Sequence, residues 1–201
     1  MPALPVLLAA VCLLGAGSVR ADSAPARCEL VPAGQRLPSA MHACQFSQRQ
    51  GFIGVDLANG VRHDFSPQGA PGQFTDADGQ PVQRIAGLGT RGQQFRLADG
   101  RLLRVLWGSA PLDSTLALQG IRFRLQSANS GSVNTLTVTP AGLQIDNRPQ
   151  RGPIDGTVGS AEVADLDHDG SPELYIGITA TGSGSAGQLL GFAANRRKSL
   201  S

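Results

Sequence analysis

Ile121, Phe123 and Leu125 alternate with Arg122, Arg124 and Gln126, the pattern of a strand with one face in a core and the other in water. Leu136 and Val138 alternate with Thr135, Thr137 and Thr139 in the same way, and Leu143 with Ile145 predicts a third strand after Pro140. Further strands are expected over Val163 to Leu166, Leu174 to Ile178 and Leu189 to Phe192. Upstream, Gly51 to Phe65 predicts a hairpin turning at Asn59-Gly60, and Phe95 to Trp107 a second turning at Asp99-Gly100. Both dipeptides accept the positive φ of a tight turn. Residues Ala24 to Pro38 show no alternation and read as irregular. Trp107 is the only tryptophan, and it is expected to pack at a strand end. No segment after the first twenty-odd residues carries a helical period, and 26 glycines with 13 prolines disfavour long helices. The fold class expected is all-β: an antiparallel β-sandwich or flattened barrel in the C-terminal block, preceded by a small β-rich block. Pro111 and its small polar neighbours place a linker at 111–115, dividing 22–110 from 116–201.

The apolar run from Leu4 to Ala16, followed by Val19-Arg20-Ala21, reads as a signal peptide over residues 1–21. A periplasmic or secreted protein is expected. The run is too short to span a bilayer, so no membrane partner is expected. The formal net charge of +2 falls by one with the loss of Arg20, which gives no basic surface for nucleic acid. Beyond the leader only Cys28 and Cys44 remain, and in an oxidising compartment such a pair is most simply a disulfide. A metal site or reactive thiol would need neighbouring ligands that the sequence does not place there.

Candidate chemistry concentrates between residues 161 and 192. Asp165, Asp167, Asp169 and Glu173 put four carboxylates into nine residues around Gly170. Either the aspartates bond to nearby backbone in an Asp-Gly turn, which is the expectation, or they ligate calcium, with Ser171 as a further donor. The spacing is not that of an EF-hand, because the twelfth position would be Ile176. No other cofactor is expected. A second loop, Thr179 to Gly187, is built of glycine, serine, threonine and alanine and suits close contact with another surface. His42, His63 and His168 are scattered, and neither a Gly-x-Ser-x-Gly nor a His-Glu-x-x-His motif occurs. The chain is therefore expected to bind rather than catalyse, with no catalytic residues. The run Arg196-Arg197-Lys198 is expected to form a solvated turn.

Four ordered segments, LQGIRFRLQS (118–127), LTVTPAGLQIDN (136–147), IDGTVGSAEVADLDHDGSPELYI (154–176) and GSGSAGQLLGFAANRRKSLS (182–201), resemble the periplasmic inhibitors of invertebrate-type (I-type) lysozyme. The resemblance implies an antiparallel β-sandwich that inserts a loop bearing Ser-Gly-x-Tyr into the lysozyme active-site cleft. The matching positions here are Ser183, Gly184, Ser185 and Ala186, with alanine where the family carries tyrosine. The implied partner is a lysozyme, probed by loop 182–187. Family members continue past the position of Ser201, so an incomplete sandwich is expected, with Leu174, Ile176, Ile178, Leu189, Leu190 and Phe192 in its core. Such a sandwich would lean on the first block or form a homodimer through an open edge. The alternative function is a calcium-stabilised structural or adhesive β module.

Overall fold

The computed structural model describes residues 23–108, 110–181 and 187–201, and the leader expected over 1–21 lies outside them. Eight strands run as an antiparallel meander: β1 (Ser23–Val31), β2 (Ala40–Arg49), β3 (Phe52–Leu57), β4 (Arg62–Pro67), β5 (Gln73–Thr75), β6 (Pro81–Ile85), β7 (Gly92–Arg96) and β8 (Leu102–Trp107). Each pairs with the next, and β8 returns to pair with β1, with Val105 opposite Cys28. The first block is thus a closed eight-stranded barrel. A barrel of this size has an interior just wide enough for side chains, and Phe46, Phe65, Phe74 and Phe95 fill it together with Val55 and Leu103. Phe65 and Phe95 meet at 5.1 Å and Phe74 meets Phe95 edge-on at 6.2 Å. Cys28 and Cys44 are disulfide-bonded across β1 and β2, their Cα atoms 5.9 Å apart.

The β2 strand belongs to two bodies. From Cys44 to Arg49 it pairs with β3, whereas from Ala40 to His42 it pairs with β13 (Thr157–Ala164). The exchange of neighbours occurs at Ala43, whose carbonyl accepts a bond from the Ala58 amide as β3 turns away. Cys44 and Phe46 enter the barrel core, and Met41 enters the core of the second body. That body is a sandwich. One sheet continues from β2 through β13 to β14 (Glu173–Thr179), β15 (Gly187–Asn195) and β16 (Ser199–Leu200). The other is a separate four-stranded sheet of β9 (Leu112–Leu118), β10 (Ile121–Ser127), β11 (Val133–Ala141) and β12 (Gln150–Asp155). Leu116, Ile121, Phe123, Leu125, Leu174 and Ile176 are fully buried between them.

Gly156 carries the chain from one sheet to the other at φ +132, where any Cβ would strike the Thr179 carbonyl. Its own carbonyl accepts from Asn134 Nδ2 at 2.7 Å. The barrel wall docks on β9 through Glu29, which is buried: Ser114 Oγ donates to its Oε1 at 2.8 Å, and Arg27 and Arg104 approach at 3.9 and 3.8 Å.

Four expectations are corrected. Residues 24–38 are not irregular throughout, since Ser23–Val31 is the barrel's closing strand. The 111–115 linker does not exist as such: Leu112 to Thr115 open β9, with Leu112 and Ser114 buried. The strand expected over Leu143 and Ile145 is a loop, because the Asn147 side chain bonds both the amide and the carbonyl of Leu143 at 2.9 and 2.8 Å. The next three amides donate to the carbonyls of Arg197 and Lys198, and the third strand is instead β12. Leu189, expected in the core, is 69% exposed, while Leu190 and Phe192 are partly buried against it.

Because β2 is common to barrel and sandwich, the two should unfold together. Trp107 sits on the barrel and Tyr175, the only tyrosine, on β14. Their fluorescence and near-UV signals are expected to share one denaturant midpoint. Reducing Cys28–Cys44, a loop of 16 residues in sequence, should lower stability by about 3 kcal/mol in both signals. Two separate midpoints would contradict the coupling.

Candidate functional site

Thr179 and Gly187 face each other at the end of the β14–β15 pair, so residues 180–186 connect two rigidly paired strands. Ser183, Gly184, Ser185 and Ala186 themselves lie outside the described residues. The surface beside them is well defined. A cleft of about 360 Å³ lies between the barrel's β3–β4 turn, at Ala58 and Asn59, and the outer face of β13, β14 and β15. Its floor is largely backbone, through Gly159, Gly177 and Gly187. A Cβ on Gly159 would come within 2.8 Å of Thr179 Oγ1 and one on Gly177 would overlap Ser160 Oγ, so either hydroxyl would have to rotate to admit a larger residue. Leu189 rises from the same floor.

The acidic turn stands at the opposite end of β14. Seven strand residues separate the ends by about 20 Å, so the two loops do not form one site. Within the turn the carboxylates bond to backbone amides. Asp167 Oδ1 accepts from Asp169 N at 3.2 Å, Asp169 Oδ1 from Ser171 N at 2.7 Å, and Glu173 Oε2 from Leu166 N at 3.1 Å. Asp165 Oδ2 accepts from Gln119 Nε2 at 2.6 Å and from Gly170 N at 3.1 Å. These bonds, the Gln119 one foremost, hold the Asp165 carboxyl below its ordinary value. One oxygen each of Asp165, Asp167 and Glu173 lie within 4.8 Å of one another, whereas Asp169 faces Ser171.

The turn is also clamped from outside. Arg197, in the tight turn between β15 and β16, donates to the Gly170 carbonyl at 3.0 Å and to the Gln119 carbonyl at 2.9 Å. Three connections, β9–β10, β13–β14 and β15–β16, are thereby tied at one end of the sandwich. The basic run does form a turn, but its middle member serves this clamp. Sequence reasoning gave Gln119 no role and took Arg197 only as part of a solvated basic turn.

The histidines lie on three separate elements. His42, 6% exposed on β2, has Cys28 and Ser160 as register partners, and its Nδ1 has no hydrogen-bond partner among the described residues. His63 stacks near Phe65 at 6.1 Å, with a buried, unpartnered Nε2. His168 is exposed in the acidic turn. Burial lowers the pKa of both His42 and His63; Glu162 opposes the shift at His42, and Arg101 reinforces it at His63.

Barrel and sandwich together define an all-β protein, disulfide-bonded, with a loop-bearing hairpin at one end of its sandwich and a clamped acidic turn at the other. Comparison with protein-family models, with curated proteins and with solved structures finds no match to this chain.

The buried histidines set a pH dependence. Below the ordinary value of 6.5 the unfolded chain takes up protons that the folded histidines resist, so stability is complete above that pH and falls as pH drops through the lowered values. Carboxylates held low by arginine, such as Asp113, lose their contribution only below their ordinary 3.8. Urea midpoints should therefore decline between pH 6.5 and 5. A flat profile across that range would contradict the burial of these rings.

Proposed function

We propose that this chain is an exported, non-catalytic binding protein that inhibits a lysozyme of the invertebrate type by placing residues 182–187 in its active-site cleft. The observation that carries the reading is the order in which the resembling segments fall on the sandwich. Residues 118–127 cover β10 and the turn before it, 136–147 most of β11 and the loop after it, 154–176 the run from β12 into β14, and 182–201 the approach to β15 and both last strands. The Ser-Gly-Ser-Ala segment consequently belongs to the connection of a paired hairpin, the position in which a rigid scaffold offers a loop to a partner. The cleft of about 360 Å³ beside it gives a protein surface room to approach.

In this reading Ser183 hydrogen-bonds a catalytic carboxylate of the target, and Gly184 allows close backbone approach. Ala186 supplies little buried area where the family places tyrosine, so inhibition is weaker than in a tyrosine-bearing relative. The disulfide fits export to an oxidising compartment. Lytic assays with the purified chain against lysozymes of each class are the test, and absence of inhibition at micromolar concentration removes the proposal. Ala186→Tyr should lower the dissociation constant by about 10-fold.

A second reading, a calcium-stabilised structural module, is favoured by the approach of Asp165, Asp167 and Glu173 oxygens within 4.8 Å. It competes with the amide bonds those carboxylates already accept. It requires a rise in melting temperature in millimolar calcium that disappears when Asp167→Ala and Asp169→Ala are combined. An unchanged melting temperature excludes it.

A further inference from the structure

The outer edge of β15 is the one long strand edge that the described part of the fold leaves bare and unguarded. The barrel is closed and has no edge. On β12, Arg151, Pro153 and Asp155 blunt the rim, and β9 is held by the Ala117 amide on the Pro38 carbonyl and by Ser114 on Glu29. On β15, β16 covers only Ala194 and Asn195, with Ser201 bonding Ala193. The stretch Gly187-Gln188-Leu189-Leu190-Gly191-Phe192 contains no charge and no proline, and its pairing with β14 runs without a bulge. It has none of the devices by which edge strands resist association.

The direction of its free backbone groups follows from one pair of bonds. Ala193 N donates to the Ser201 carbonyl at 2.9 Å and its carbonyl accepts from Ser201 N at 3.1 Å. Ala193 therefore turns both groups outward. Antiparallel alternation then turns the N–H and C=O of Gly191, Leu189 and Gly187 outward too. Their pattern is self-complementary. A twofold axis through Leu189 sets Gly187 of one copy against Gly191 of the other, and Leu189 against its own equivalent. About six backbone hydrogen bonds could form there. The two exposed leucines would meet as a cross-strand pair on one sheet face, and glycines at both ends leave no side chain to obstruct the approach. Beneath the same strand, a cleft of about 200 Å³ lined by Leu136, Val138, Ile154, Leu190 and Phe192 marks where the sandwich is open between β15 and β12.

We infer that a second copy of this chain pairs antiparallel with β15 about Leu189, joining two sandwiches through one continuous sheet. This does not depend on the lysozyme reading. The Gly187 ends of the two strands would then point in opposite directions, about 14 Å apart along the shared sheet.

Sedimentation equilibrium of the full chain should give twice the monomer mass. Leu189→Lys, at a position exposed enough to accept the change without unfolding, would set two like charges face to face and weaken the dimer by at least about 10-fold. Val133→Lys, 66% exposed on β11 of the other sheet, should leave it intact. In the unmodified chain, exchange of the Leu189 and Gly191 amides should slow as concentration rises. A monomer up to about 100 μM, a dimer indifferent to Leu189→Lys, or amides protected at every concentration would each overturn the inference, the last because it would mean that the chain covers its own edge.

Discussion

The molecule depends on one strand having two sets of neighbours. The β2 strand gives Cys44 and Phe46 to the barrel and Met41 to the sandwich, and at Ala43 it exchanges β3 for β13. A strand shared in this way cannot be slipped by one residue. The slip would turn Met41 toward the barrel and Phe46 away from it, exchanging both buried sets at once. The disulfide fixes β2 against β1 on the barrel side, and the pairing of Ala161 with Met41 fixes it on the sandwich side. Register in each body is thereby set by the other.

The second bond between the bodies is the hydrogen bond from the Ser114 hydroxyl to the buried Glu29 carboxylate. Glu29 is withdrawn from water against β9, held by the Ser114 hydroxyl and flanked by two guanidinium groups at nearly 4 Å. At that distance the arginines offset the cost of burying the carboxylate without direct hydrogen bonds, and the Nε atoms of both are themselves buried without hydrogen-bond partners among the described residues. Such a group adds little net stability. Its effect is on placement: Arg27 and Arg104 belong to the barrel with Glu29, so the bond from β9 is the Ser114 hydroxyl, and another docking of β9 would leave the buried Oε1 without that donor.

Most of the sandwich was legible in the sequence because its strands have one wet face. Arg122 and Arg124 alternate with Ile121 and Phe123, and the turns at Asn59-Gly60 and Asp99-Gly100 fall where those dipeptides predict. Strands β1 and β2 were not legible. Ala40, Met41 and His42 are all buried, because β2 has protein on both faces there. A strand covered on both sides has no alternation to read, and this one lacks the β-branched residues that would mark it otherwise. Closure was equally hidden, since the β1–β8 pairing joins residues nearly eighty positions apart. Leu143 and Ile145 misled for the converse reason. Their spacing is that of a strand, but Asn147 bonds back to Leu143 and folds the segment into a loop. For the site, the acidic turn's bonding was readable from aspartate chemistry, while its clamp by Arg197 and Gln119 joins residues far apart in sequence.

The clamp assigns different work to the two ends of β14. At the Glu173 end three connections are locked by Asp165, Gln119 and Arg197, and the carboxylates are spent on local backbone. At the Thr179 end the strands pair without bulge as far as Thr179 and Gly187, and the connection between them is composed of glycine, serine, threonine and alanine. A clamp at one end of a hairpin does not constrain the other, provided that the strands transmit no strain between them. The regular register from Glu173 to Thr179 satisfies that condition. The acidic turn therefore sets how firmly the hairpin is held at its Glu173 end, and only in the reading proposed above does the composition of the connecting loop set what the other end meets.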